Sequence, residues 1–155
     1  MNIKAVSASI LAAASLLAIA VRAADSPTLS EPVKSVYDRY LKIQGELARD
    51  SLTGVKEHAN AIAKIVRGDD MKKFPAVVAK QAETLARAGD LATVRKAFKP
   101  LSTSLIKYLS DNKVPKGTYY EVYCPMADAS WLQASKDVKN PYMGKAMPTC
   151  GVIKD

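Results

Sequence analysis

The segment VKSVYDRYLKIQGELARDSLTGVKEHANAIAKIV, Val33 to Val66, decides the fold class. Val33, Val36, Tyr37, Tyr40, Leu41, Gln44 and Leu47 recur at steps of three and four, and so do Leu52, Val55, Ala59, Ile62 and Val66. A helix turns once every 3.6 residues, so each set forms one stripe able to face a core. Ser30-Glu31-Pro32 supplies a hydroxyl cap, an early acid and a first-turn proline, which predicts a helix over 31–48. Asp50-Ser51 is then read as the cap of a second helix over 51–66.

Working outward, Gly68-Asp69-Asp70 stops the second helix, and Val78, Ala82 and Leu85 mark a third over 74–88. Gly89-Asp90 breaks the chain and caps a fourth over 91–109, where Val94, Phe98, Leu101, Leu105 and Leu109 share a face. Pro100 removes a backbone donor within that helix and predicts a kink or brief interruption. Four short-linked amphipathic helices predict an all-α, up-down four-helix bundle, with Leu41, Ile62, Leu85 and Phe98 sharing its core. After Lys113 the period is lost. Thr118 to Tyr123 reads as a strand, with a second at Gly151–Ile153 completing a two-stranded hairpin. Everything else in 114–155 is expected to be a loop-rich appendage on the bundle at 30–113.

Upstream, Met1 to Lys4 is a short basic stretch and Ala5 to Val21 is apolar apart from serines. This is the pattern of a signal peptide cleaved after Ala23, leaving a tail at 24–29 and one domain at 30–155. The apolar run sits at the short limit for spanning a bilayer and lacks a basic stop-transfer flank, so no stable membrane insertion is expected after cleavage. The mature chain is expected in the periplasm or secreted, where two cysteines can pair.

The 155 residues are 48% hydrophobic and 25% charged, a composition for one globular domain and not for a disordered or disulfide-caged chain. The formal charge is +8, and after the leader is removed the basic excess lies between Ser30 and Gly117. Its bases form no run and are not interleaved with aromatics, so a solvated helical surface is expected and nucleic acid is not. One histidine, His58, leaves no constellation for a hydrolase or a haem pair, and no phosphate loop or catalytic carboxylate pair is present. Neither an enzyme nor a haem or nucleotide cofactor is expected.

Soft sulfur is concentrated between Cys124 and Cys150, which hold both cysteines and three of the five methionines, Met126, Met143 and Met147. Thiolates and thioethers select Cu(I) and Ag(I), whereas carboxylates select hard ions. A disulfide is the competing use of the cysteines in an exported protein, and free thiols are the third. Each methionine alone reads as gap-filling before it reads as a ligand, and Trp131 reads as an anchor of the appendage on the bundle. Asn140-Pro141 reads as a turn or cap.

These residues form a signature: Tyr123-Cys124-Pro125-Met126, Trp131-Leu132-Gln133, Asn140-Pro141-Tyr142-Met143-Gly144, Met147 and Cys150-Gly151. Together with Arg95, Phe98, Leu101 and Ser102 on the fourth helix, the chain resembles an exported bacterial domain of unknown function. That domain occurs alone or appended to periplasmic adaptor subunits of copper and silver efflux systems. The resemblance implies a heavy-metal role, with Cys124, Met126, Met147 and Cys150 as ligands of Cu(I) or Ag(I). It also implies an efflux adaptor or another envelope protein as partner, and Trp131, Asn140, Pro141, Tyr142 and Gly144 as structural anchors. Relatives often carry a histidine where this chain has Tyr123, so a nitrogen ligand is lost here. A disulfide-stapled interaction module without metal is the alternative the same residues allow.

Overall fold

A computed structural model describes residues 29–115 and 117–154. The leader at 1–23 and most of the predicted tail lie outside the described residues. The chain forms α1 (Val33–Ala48), α2 (Val55–Arg67), α3 (Ala76–Arg87), α4 (Leu91–Asp111), β1 (Tyr120–Cys124), β2 (Ala129–Gln133), a 3₁₀ turn at Gly144–Ala146 and β3 (Val152–Ile153). Successive helices pack as neighbours, and the strands form one antiparallel sheet of order β2-β1-β3. The architecture is mainly helical, a bundle of four helices joined by a small sheet. No helix among the described residues is long and apolar enough to cross a membrane.

Three helix starts differ from the sequence reading. α1 begins at Val33 and not at Glu31, because the Ser30 side chain makes no cap and only its carbonyl accepts the Lys34 N–H, at 3.0 Å. α2 begins at Val55, because Ser51 folds into a local turn in which Thr53 N donates to Ser51 Oγ at 3.1 Å. Asp50 therefore caps nothing and is free for another partner. α3 begins after Pro75, whose extended conformation (ψ 140°) precedes the first helical residue. At α4 the reading holds: Asp90 and Thr93 form a reciprocal capping box, with Thr93 N donating to Asp90 Oδ1 at 3.0 Å. Pro100 does not interrupt α4, which runs as one helix to Asp111.

Ile62, Leu85 and Phe98 are buried as expected, whereas Leu41 is only half-buried and Ile43 takes the inward position. Val36, Tyr40, Ile43 and Leu47 make the closer three-and-four ladder, and Leu41 falls on its flank. α1 meets α4 through side chains: the Tyr40 and Phe98 rings stack with centroids 4.9 Å apart.

The C-terminal segment contributes Val122, Cys124, Trp131 and Leu132 to the same core as the helices, each with essentially no exposure. β3 pairs with β1 as expected, Val122 opposite Ile153 and Tyr123 opposite Val152. β2 stands where the spacing predicts loop. It pairs with β1 along its whole length, Val122 opposite Trp131 and Cys124 opposite Ala129. Its sequence Ala-Ser-Trp-Leu-Gln does not alternate because residues on both faces are covered: α1 and α4 pack on the strand, and the chain at Gly151 lies against Trp131.

Candidate functional site

The free edge of β2 faces the bundle, where unpaired backbone groups would be costly. Two tyrosine hydroxyls cover it. Leu132 N donates to Tyr40 Oη at 3.1 Å, and Tyr142 Oη donates to Ser130 O at 3.0 Å. Both hydroxyls also meet the buried Ser102 Oγ, Tyr40 at 2.8 Å and Tyr142 at 3.1 Å. Burial pushes both phenols well above their ordinary pKa, so they remain neutral hydrogen-bonding groups. The Phe98 ring packs against both Tyr40 and Tyr142, with centroids 4.9 and 5.8 Å away.

The α4 residues of the signature are thus the receptor for the C-terminal segment. Phe98, Leu101 and Ser102 are completely buried. Arg95, one turn earlier, donates through Nε to Pro141 O at 2.8 Å and through Nη2 to Leu47 O at 2.9 Å and Asp50 Oδ1 at 2.5 Å. The other Asp50 oxygen accepts the Lys145 N–H at 3.1 Å. The Arg95 guanidinium and then the Lys145 amide hold the Asp50 carboxyl below the usual carboxylate range. Sequence reasoning assigned Asp50 to a helix cap. Its positive φ of 59° and distant partner could not be seen in local spacing.

The predicted anchors are used structurally. Asn140 is fully buried: Oδ1 accepts the N–H groups of Tyr142 (2.8 Å) and Met143 (3.0 Å), and Nδ2 donates to Cys150 O at 2.7 Å. It ties the loop before the 3₁₀ turn to the chain entering β3. Trp131 Nε1 donates to Gln133 Oε1 at 3.0 Å, and Gln133 Nε2 donates to Ser135 O and Asp137 O. Gln133 was not among the predicted anchors, although it stands within the same signature. Gly151 lies against the indole: a Cβ there would sit 2.7 Å from Trp131 Cη2 and 2.7 Å from Val122 Cγ1. Pro141, Tyr142 and Gly144 are buried as well.

The predicted sulfur residues divide. Cys124 and Cys150 come together as a disulfide pair with Cα atoms 5.7 Å apart, within the usual bridging range. Cys124, at the end of β1, has 0% exposure, and Cys150 is half-buried. Met126 is 68% exposed on the turn joining β1 to β2, which Asp128 N closes by donating to Pro125 O at 3.2 Å. Lys99 Nζ holds the same turn against α4 through Ala127 O at 2.6 Å. Met147 is 36% exposed and begins the turn that Cys150 N closes on Met147 O at 3.2 Å. Met143 is half-buried against the core. Tyr123 donates its hydroxyl to Asp128 Oδ1 at 3.0 Å, and His58 Nδ1 meets Arg39 Nη1 at 3.3 Å between α2 and α1. Among the described residues no group of three or more His, Cys, Asp or Glu side chains is placed to hold an ion.

The pair closes a sequence separation of 26 residues, for which chain entropy gives about 3.5 kcal/mol of stabilisation. Cys150→Ser is expected to lose about that amount. Urea unfolding of the variant beside the oxidised parent, followed by far-ultraviolet circular dichroism, measures it. Equal midpoints would remove the staple as a source of stability.

Residues 36–117 match the model of a family described as "Protein of unknown function (DUF3347)". The match runs from the first turn of α1 to the turn before β1 and ends short of Cys124. No curated protein and no solved structure gives a significant match.

Proposed function

We propose, from the premise that the chain belongs to the DUF3347 family, that it is an exported, non-enzymatic heavy-metal-handling protein which binds Cu(I) or Ag(I) through sulfur. A periplasmic efflux adaptor or another envelope protein is its partner. The observation that carries this reading is the convergence of the two cysteines, with an exposed methionine on each of the two short turns that reach them. Met126 is two residues from Cys124, a tether of at most about 7 Å, and Met147 is joined to Cys150 by a single closed turn of similar span. Residues more than twenty apart in sequence thus bring both cysteines and the turns that carry both methionines to one end of the sheet.

The fit to a soft monovalent ion depends on oxidation state. Joined as a disulfide, the cysteines have no thiolate to offer, and two thioethers make a sparse donor set. Reduced, Cys124 and Cys150 supply anionic sulfur and Met126 or Met147 completes the shell. A disulfide-stapled interaction module is favoured by one observation, the complete burial of Cys124, which suits a permanent staple.

The test is competition for Cu(I) against a chromophoric chelator, using protein reduced in denaturant and refolded without oxygen. The Met126→Leu/Met147→Leu double variant keeps side-chain volume and removes both thioethers. It is expected to bind at least about tenfold more weakly than the parent, as loss of a soft ligand implies. Affinity should fall as pH drops, because thiolates must lose protons to bind. Equal affinity of the double variant and the parent reduces the binding to adventitious thiol capture and leaves the stapled module as the function.

A further inference from the structure

The two sulfurs of the disulfide are not equivalent. Cys124 has 0% exposure: it closes β1 opposite Ala129, and Val122 on the same strand is covered by Trp131 and Gly151. Cys150 is half-buried at the end of a stretch, Lys145 to Thr149, in which every residue is exposed. Thiol–disulfide exchange requires a thiolate to approach one sulfur from behind, along the S–S axis, so it needs access to that sulfur. Of the two residues, Cys150 alone keeps any exposure in the folded protein.

We propose that Cys150 is the sulfur at which an external dithiol reductant opens the protein, with Cys124 as the leaving group. The inference rests on the metal-handling reading for its purpose, since the reduced pair is the metal-binding form. A reductant thiolate attacks Cys150 Sγ, the Cys150–Cys124 bond breaks, and the electron pair leaves on Cys124 Sγ, which takes a proton. The second thiol of the reductant then attacks its own sulfur in the mixed disulfide. Cys150 leaves as thiolate, and the reductant departs as an intramolecular disulfide. Two electrons and two protons pass from the dithiol to the cysteine pair. The partner is accordingly a dithiol–disulfide oxidoreductase whose active-site thiol can reach an exposed loop of one to two turns, and it needs no access to the bundle.

The order of events has a structural consequence. Asn140 holds the chain on both sides of the attacked sulfur, its N donating to Pro148 O at 2.8 Å and its Nδ2 to Cys150 O at 2.7 Å, so that chain stays docked when the disulfide opens.

Reduced glutathione serves as the probe. The native, oxidised full chain is incubated with it at mildly alkaline pH, quenched in acid, and its remaining thiols are blocked with a maleimide. Trypsin separates the two cysteines onto peptides 117–136 and 146–154. The glutathione adduct is expected on Cys150 in about tenfold or greater excess over Cys124. An adduct mainly on Cys124, or divided evenly, overturns the proposal. So does a disulfide that opens only in urea. A second measurement covers rapid back-exchange: Cys150 in a Cys124→Ala variant should react with an aromatic disulfide nearly as fast as in urea. Cys124 in a Cys150→Ala variant should be slowed about tenfold or more by folding. Equal protection of the two also overturns it. The copper competition uses protein reduced in denaturant, so its failure removes the metal reading while leaving the assignment of the attacked sulfur standing, and the reverse holds.

Discussion

Gly144→Ala is expected to be the most damaging small substitution in the chain, at on the order of 5 kcal/mol. Gly144 has φ +52°, a left-handed conformation whose cost for a side-chain-bearing residue is about 1–3 kcal/mol. The added Cβ would fall 1.8 Å from Asp50 Oδ1 and 2.4 Å from Arg95 Nη2, so the ion pair must separate or the loop must lift. Overpacking contributes about 1–3 kcal/mol, and loss of the charge-assisted bonds among Arg95, Asp50 and Lys145 N adds about 1.5–3 kcal/mol. Urea unfolding gives the total, and Trp131, the only tryptophan and fully buried, reports loss of docking by a red-shifted emission. The cause can be isolated with Asp50→Gly, which tolerates the positive φ of that position and removes the carboxylate from the clash. The double variant should then be clearly less destabilised than the sum of the two singles. Strict additivity would show that the carboxylate contact is not the source.

Phe98→Ala should cost about 3–5 kcal/mol, the transfer and cavity terms together for a large buried aromatic. Phe98 has no exposed surface and packs against both the Tyr40 and Tyr142 rings, so truncation leaves a void beside the two rings whose hydroxyls cover the edge of β2. The damage should reach the sheet as well as the helices. Trp131 emission should shift with the variant even under conditions where helix content, read by circular dichroism, is retained. Phe98→Leu keeps most of the volume and should cost less than about 1.5 kcal/mol. A loss below about 1 kcal/mol for the alanine variant would mean that the cavity collapses and that α1, α4 and β2 are not held apart by this ring.

Both substitutions act at one joint, the contact between α4 and the C-terminal segment. Arg95, Phe98 and Ser102 stand three and four residues apart on α4 and grip three different partners: the Pro141 carbonyl, two tyrosine rings and two tyrosine hydroxyls. Asn140, Gln133 and Gly151 complete the joint from the other side. Most polar residues of the C-terminal signature therefore build the fold. Met126 and Met147, its exposed sulfur members, carry no comparable burden. That contrast is why the copper competition is designed around the methionines and not around the cysteines, whose replacement would disturb the staple as well.

How much was legible in the residues follows from the range of the interactions. The four helices, their core faces and the Asp90 cap were readable because helix periodicity and capping are local, acting over three or four positions. The nearness of Cys124 and Cys150 is what two of their three uses, a disulfide and a shared ion site, require. Leu41 and Ile43 exchanged roles because a stripe is about as wide as one step of the helix, and only the packing partner decides which flank it covers. β2 could not be seen, for a strand buried on both faces loses the alternation that identifies it. Nor could the role of Asp50, whose partner Arg95 is 45 positions away and meets it only when α1, α4 and the 3₁₀ turn converge. The sequence by itself determined the helices, the basic helical region and the clustering of sulfur. Tertiary structure alone decided that the sheet completes the core, that tyrosine hydroxyls close its edge, and that Cys124 is fully buried while Cys150 is only partly so. Those outcomes depend on backbone groups and surfaces brought together from distant parts of the chain, and no local pattern encodes them.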